Sequence, residues 1–263
     1  MRLPLTIAAA FMLVSPAYAQ LATPNDAGLR YGHVHLNVSD VEVHKQLWVE
    51  HFGGVAVLGD RVRLHGLLVA LSAREPTGGS QGSGMDHFGF HVRNMEKFLA
   101  KWRAAGLPVM SEFTGAQGHP NAYVMMPDDV RVELQEEQWL PVEIAGNHIH
   151  FRAPEHEALL AWYLDIFGLE QRSRGSIETT TNVPGMNLSF GGSSTPLAAT
   201  RGRAIDHIGF ELDDLEAFCQ TLADRGIEFD VEFRELPAVG LKIAFIIDPA
   251  GVRIELTEGY DEF

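Results

Sequence analysis

The residues predict an α+β protein made of four βαβββ units, arranged as a tandem pair of two-unit domains. Three observations carry this. Four short apolar strands place a histidine at the same point: Gly32-His33-Val34-His35-Leu36, Asp86-His87-Phe88-Gly89-Phe90, Asn147-His148-Ile149-His150-Phe151 and Asp206-His207-Ile208-Gly209-Phe210. Each strand precedes a segment with a single apolar stripe at helical spacing. Short β-prone runs broken by Pro/Gly turns then follow.

The first residues read as a leader. Met1-Arg2 gives a short positive start, Leu3 to Val14 is mostly apolar, and Ala17-Tyr18-Ala19 has a small-x-small cleavage form. The apolar run falls short of the roughly 20 residues a membrane span requires. The expectation is a signal peptide over residues 1–19, cut after Ala19, and a mature protein that is periplasmic or secreted.

Unit by unit, the helices repeat one pattern. Met95, Phe98, Leu99 and Trp102 lie at i, i+3, i+4 and i+7, as do Leu160, Tyr163, Leu164 and Phe167, and Leu215, Phe218, Cys219 and Leu222. The first helix, about Val41 to Phe52, keeps the stripe less cleanly. Asp213 with Glu216 resembles a capping box, and Pro154 suits a first helical position. Gly53, Gly106, Gly168 and Gly226 stand where left-handed C-caps fall. Strand pairs flank Pro127-Asp128-Asp129 and Asp248-Pro249-Ala250-Gly251, both turn sequences.

Units one and three are alike, as are two and four. The repeat therefore reads as a tandem of two-unit domains, 29–138 and 144–259, with a boundary near Glu137 to Ala145. Gly78 to Gly84 and Gly191 to Gly202 link the units within each half. Cys219, the single cysteine, excludes an internal disulfide framework and reads as a small packed hydrophobe. His44, His51, His65 and His156 lie off the repeat and read as surface residues; Trp48, Trp102 and Trp162 read as core.

Composition narrows the function classes. An apolar share of 46% with 21% charged residues describes a globular chain. A formal net charge of −15 disfavours nucleic acid and anionic membrane as partners. A small-molecule substrate fits better, and a homo-oligomer is compatible.

The chemistry lies in the strands. Histidine and glutamate inside apolar strands are costly unless paired or metal-bound. Each half contains two unit-opening histidines and one glutamate near its end: His33, His87 and Glu133, then His148, His207 and Glu255. Two neutral imidazoles and a carboxylate suit a divalent transition metal such as Fe2+, Mn2+ or Zn2+. Three protein ligands leave open positions, the mark of a catalytic site.

Asp-His-Ile-Gly-Phe followed by Asp-Pro-x-Gly-x-x-Ile-Glu resembles the vicinal oxygen chelate superfamily, which holds glyoxalase I, extradiol dioxygenases and the fosfomycin and bleomycin resistance proteins. The resemblance covers about Tyr31 to Glu258. It implies paired units cupped around a metal, with ligands on the first and last strands of units; His33, His87, Glu133, His148, His207 and Glu255 match those positions. The fourth ligand of glyoxalase I has no counterpart in Leu67 to Leu71 or Asn187 to Phe190. A His/His/Glu set is closer to the extradiol dioxygenases, although the tyrosine place in the second half is Phe245 and that in the first half Tyr123.

Strand alternation puts His35 and His91, with Tyr123, on the metal's face in the first half, and His150 and Glu211 in the second. These are the candidates for acid-base work. Arg131 and Arg253, two residues before each glutamate, read as ion-pair partners or anion holders. The leading expectation is an exported extradiol-dioxygenase-like enzyme. The alternatives are a glyoxalase-type lyase or isomerase, and a non-catalytic protein that binds a small molecule.

Overall fold

The computed structural model describes residues 21–260, so the expected leader lies outside the described residues. Unit one comprises β1 (Leu29–Val38), α1 (Val41–Phe52), β2 (Val55–Val57), β3 (Arg61–Leu64) and β4 (Leu67–Ala73). Unit two comprises β5 (Met85–Val92), α2 (Met95–Ala104), β6 (Val109–Thr114), β7 (Pro120–Met126) and β8 (Val130–Glu136). Unit three has β9 (Ile144–Ala153), α3 (His156–Phe167), β10 (Thr180–Val183) and β11 (Met186–Gly192); it has two strands after its helix rather than three. Unit four has β12 (Ile205–Leu212), α4 (Leu215–Asp224), β13 (Phe229–Leu236), β14 (Leu241–Ile247) and β15 (Arg253–Glu258).

The strands form two mixed sheets, in the orders β13-β14-β15-β12-β1-β4-β3-β2 and β10-β11-β9-β5-β8-β7-β6. Unit one thus joins unit four, and unit two joins unit three. This corrects the tandem reading, in which each half closes its own cup. The two glycine-rich linkers carry the chain from one sheet to the other, side by side. Thr77 N–H donates to Gly202 O at 2.8 Å, and Ala204 N–H to Gly78 O at 2.9 Å.

Alternation along β5 explains the layering. Phe88 and Phe90 face the helices, while His87, Gly89 and His91 line the opposite, concave face. Trp48 and Phe52 of α1 pack on Phe88 and Phe90, and Phe52 on Phe98 of α2. Phe167 of α3 packs on Phe210 and Phe218. The helices therefore unite each half of the sequence, while the sheets unite opposite halves.

Trp48 and Trp102 are fully buried and Cys219 is buried, as expected. His44 and His51 are not surface residues. His44 meets Asp128 at 3.0 Å beneath the β7–β8 turn, and the His51 ring lies edge-on to Trp102 at 5.0 Å. Helix α4 is capped by Asp214 rather than Asp213, and α3 starts two residues after Pro154. Gly53 and Gly168 are left-handed caps, with φ 70° and 61°.

Candidate metal centres in two cups

The two antiparallel seams, β1 against β12 and β5 against β9, sit at the bottom of the two cups. Each sets a histidine opposite a glycine: His33 opposite Gly209, and His148 opposite Gly89. A Cβ at Gly209 would lie 2.0 Å from His33 Cε1, and one at Gly89 2.4 Å from His148 Cε1. The glycine of each Asp-His-x-Gly strand is thus the space into which the other unit's imidazole fits.

In the first cup, Glu255 Oε2 is 2.9 Å from His33 Nε2 and 3.0 Å from His207 Nε2. His35 completes the group, with its Nε2 2.7 Å from Ser72 Oγ. In the second cup, Glu133 Oε2 is 2.7 Å from His87 Nε2 and 3.2 Å from His148 Nε2, and the two nitrogens are 3.4 Å apart. His150 completes that group. Within each set of four, the donor atoms all lie within 4.8 Å of one another.

These groups revise the expected triplets. His33 leaves His87 and Glu133 for His207 and Glu255; His148 joins His87 and Glu133. Every expected metal residue is used, with histidines exchanged between sequence halves. His35 and His150, expected as acid-base groups, stand among the donors. His91 remains outside, with its Nε2 3.3 Å from Gln135 Nε2.

Glu211 is also outside the group, and the expected acid-base role does not suit its surroundings. Its carboxylate accepts from Thr257 Oγ1 and from the N–H groups of Gly259 and Tyr260, at 2.5, 2.6 and 2.9 Å. It fastens Gly259 and Tyr260 to β12. Arg131 and Arg253 do form ion pairs, but with other carboxylates: Arg131 with Asp86 at 2.8 Å, and Arg253 with Asp230 at 2.8 Å.

The residues fit a divalent ion. Bonds of about 2.1 Å put adjacent ligands about 3 Å apart on an octahedron, which is the spacing of the nitrogens around each glutamate oxygen. Asp86 and Asp206 each take the Nδ1 of the following histidine at 2.6 Å, which turns Nε2 toward the cup.

Except at His207, the shifted groups lean toward the protonation states that ligation requires. Burial pushes His148 down to about 4, against the pull of Glu133. Burial also lowers His33, His35 and His150. Burial would raise Glu133 and Glu255, but their histidine partners hold both well below the usual carboxylate range. His207 is raised, because Asp206 and Glu255 outweigh its burial.

Away from the donors the cups diverge. Tyr123 stands beside Glu133 on β7, edge-on to His87 at 5.2 Å; Phe245 holds the same place beside Glu255, edge-on to His207 at 5.3 Å. An arginine covers each ring, Arg131 at 3.6 Å and Arg253 at 3.8 Å. Burial, then Glu133, raises the Tyr123 hydroxyl, which therefore stays protonated. Asn121, Gln135 and Asn187 of the second cup correspond to Ile243, Thr257 and Leu68 of the first.

Tyr260 stacks on His33 at 4.6 Å in the first cup, and the hollow beside Leu68 and Tyr260 is about 10 Å³. An open groove of about 900 Å³ runs past the edge of the second cup, lined by His91, Asn147 and Asn187 but by none of the four donor residues. The sequence reading missed Tyr260, Asn121 and Gln135. It also missed the two histidines' place among the donors, although His-x-His on one strand face was the available signal.

Residues 146–256 match the family model of the Glyoxalase/Bleomycin resistance protein/Dioxygenase superfamily. A search of curated proteins found no match. Among solved structures, glyoxalase I from Zea mays aligns with a TM-score of 0.67 at 18% identity, covering 89% of this chain and 94% of that one. A Bacillus subtilis protein provisionally named a dioxygenase aligns with a TM-score of 0.66 at 13% identity, covering 91% and 86%. At these identities the likeness is one of fold.

Proposed function

For a chain with the glyoxalase and dioxygenase fold of the vicinal oxygen chelate superfamily, we propose a metal-dependent enzyme. It acts through the second cup on a small substrate with two adjacent oxygens. The observation that carries this is the clustering of His87, Glu133, His148 and His150, with donor atoms within 4.8 Å, among the polar neighbours Tyr123 and Asn121. A bound divalent ion would supply Lewis acidity, polarising the oxygens of a chelated substrate.

Donor number favours a lyase or isomerase of the glyoxalase type. If four side chains ligate, six-fold coordination leaves two positions, enough for a chelating substrate but not for O₂ as well. The chain's own groups then move the proton. Tyr123, still protonated, can donate a hydrogen bond or a proton to substrate beside Glu133. Asn121 donates to Glu133 Oε1 at 2.6 Å, which leaves Oε2 directed at the histidines.

A second reading has one observation in its favour. His150 is the member of its group with no hydrogen bond to Glu133, and without it the set is His/His/Glu, the arrangement of non-haem iron oxygenases. Metal analysis with two assays decides between them. Deuterium incorporation from solvent into an α-hydroxycarbonyl substrate supports proton transfer. O₂ uptake on catechols supports the oxygenase. A purified protein that takes up no divalent metal contradicts both.

Export is part of the proposal and rests on the apolar run and Ala17-Tyr18-Ala19. The mature protein recovered from the periplasm should begin at Gln20; an intact Met1 there would contradict cleavage.

A further inference from the structure

We propose that Arg174 is the anion-binding group of the second cup, so that its substrate carries a carboxylate in addition to the two oxygens it offers the metal. This rests on the metal-centre reading of that cup.

Arg174 lies in the stretch between α3 and β10, where unit three lacks a strand. That stretch folds on itself through a bridge between Arg174 and Ile177. It is pinned across the cup to the β6–β7 hairpin, where Ser176 N–H donates to Ala116 O at 3.2 Å. Gly175 makes the approach feasible. Its φ is 59°, and a Cβ there would lie 2.4 Å from Ala116 O. The backbone is therefore held against the hairpin while Arg174 turns inward.

Its guanidinium donates to Gln135 Oε1 at 3.3 Å and to Ser189 Oγ at 3.2 Å. Both acceptors border the donor group: Gln135 is two residues past Glu133 on the same strand face, and Ser189 pairs with His150. Both bonds are long, and both acceptors are neutral. The buried Nε–H has no partner, and among the described residues no carboxylate forms an ion pair with Arg174. A partly buried cation hydrogen-bonded only to an amide and a hydroxyl, with Glu133 attracting it from beyond contact, still carries a desolvation cost, and a carboxylate in contact is the group that best offsets it. Arg131, by contrast, is already matched by Asp86.

The first cup shows the difference. Arg61 reaches it from β3, but the ring of Tyr260 lies 5.2 Å from that guanidinium, over His33. Tyr260 thus lies between that arginine and the histidine of the first cup.

The test uses two ligands that share adjacent hydroxyls and differ by one carboxylate: 3,4-dihydroxybenzoate and catechol. Their affinities are measured calorimetrically on metal-loaded wild type, Arg174→Gln and Arg174→Lys, with metal content determined on each sample. Wild type should prefer the carboxylate ligand by at least tenfold, about 1.4 kcal/mol. Arg174→Gln should abolish that preference while catechol affinity stays within twofold. Arg174→Lys should retain part of it. A wild type without the preference, an Arg174→Gln protein that keeps it, or an equal loss of both ligands would overturn the assignment. A wild type that takes up no metal would instead overturn the metal-centre reading, and this inference with it.

Discussion

The two cups have the same donors and opposite linings. Each sets three histidines and one glutamate on corresponding strands, steadied by an aspartate before one histidine. Around them, Tyr123, Asn121, Gln135 and Asn187 in the second cup face Phe245, Ile243, Thr257 and Leu68 in the first. Leu68, Ile243, Phe245 and Tyr260 form an apolar cluster of their own, separate from the main core. The difference teaches that a duplicated donor set does not imply duplicated chemistry. A metal group needs few residues, whereas a substrate also needs polar partners, and these line one side.

The sharpest way to break this comparison is to remove one ligand from each cup. His148→Ala should lower turnover more than 100-fold, because loss of even a supporting group around a metal commonly costs 10–100-fold. His207→Ala should leave turnover within about twofold. Equal losses would mean that both cups work, or that neither does.

Tyr123→Phe gives the second cup the ring of the first. Turnover should fall about 100-fold, in the range typical of a lost acid-base group, with metal content unchanged. If metal content falls with it, Tyr123 supports the site rather than the chemistry.

The seam glycines give a smaller and more local effect. Gly209→Ala should displace His33 and weaken metal uptake in the first cup by about tenfold, leaving the second cup's uptake unchanged. Metal titration of the purified variant checks this, and a loss at both cups would show that the sites are coupled.

The smallest effect expected is in pH dependence. Glu133 and Glu255 have lowered folded pKa values, so their stabilisation is present above the unfolded carboxylate value and is lost as pH falls through the folded one. His35 and His150, lowered by burial, add a loss below the ordinary histidine value of about 6.5. Asp248 opposes them: burial raises it to about 6, so its contribution is greatest below its unfolded value and fades as pH rises through 6. Metal-free protein should therefore lose stability between pH 7 and 4 in denaturant titrations. Glu133→Gln should flatten the further loss below about pH 4.3, where the unfolded carboxylate takes up a proton and the folded one does not, and an unchanged loss there would contradict the assignment.

Much of this was legible in the residues. The histidine strands, the helix stripes and the Asp-Pro-Ala-Gly turn gave the units, because these are local periodicities. The site residues followed from charge placed in apolar strands. The partnership of units was not legible in the same way. Nothing local distinguishes Gly78 to Gly84 as a link within a sheet from a link between sheets. The clue lay in the steric fit of His33 to Gly209 and His148 to Gly89, which becomes visible once the strands are paired. Arg174 escaped notice for the same reason: its place depends on Gly175 meeting Ala116 across the cup.

The central claim is that each ion is gripped by histidines from opposite halves of the sequence. Native mass spectrometry of manganese-loaded double variants tests it most directly. Wild type should hold two ions per chain, His33→Ala/His207→Ala should hold one, and His33→Ala/His87→Ala none. One ion retained by His33→Ala/His87→Ala, with none in His33→Ala/His207→Ala, would contradict it.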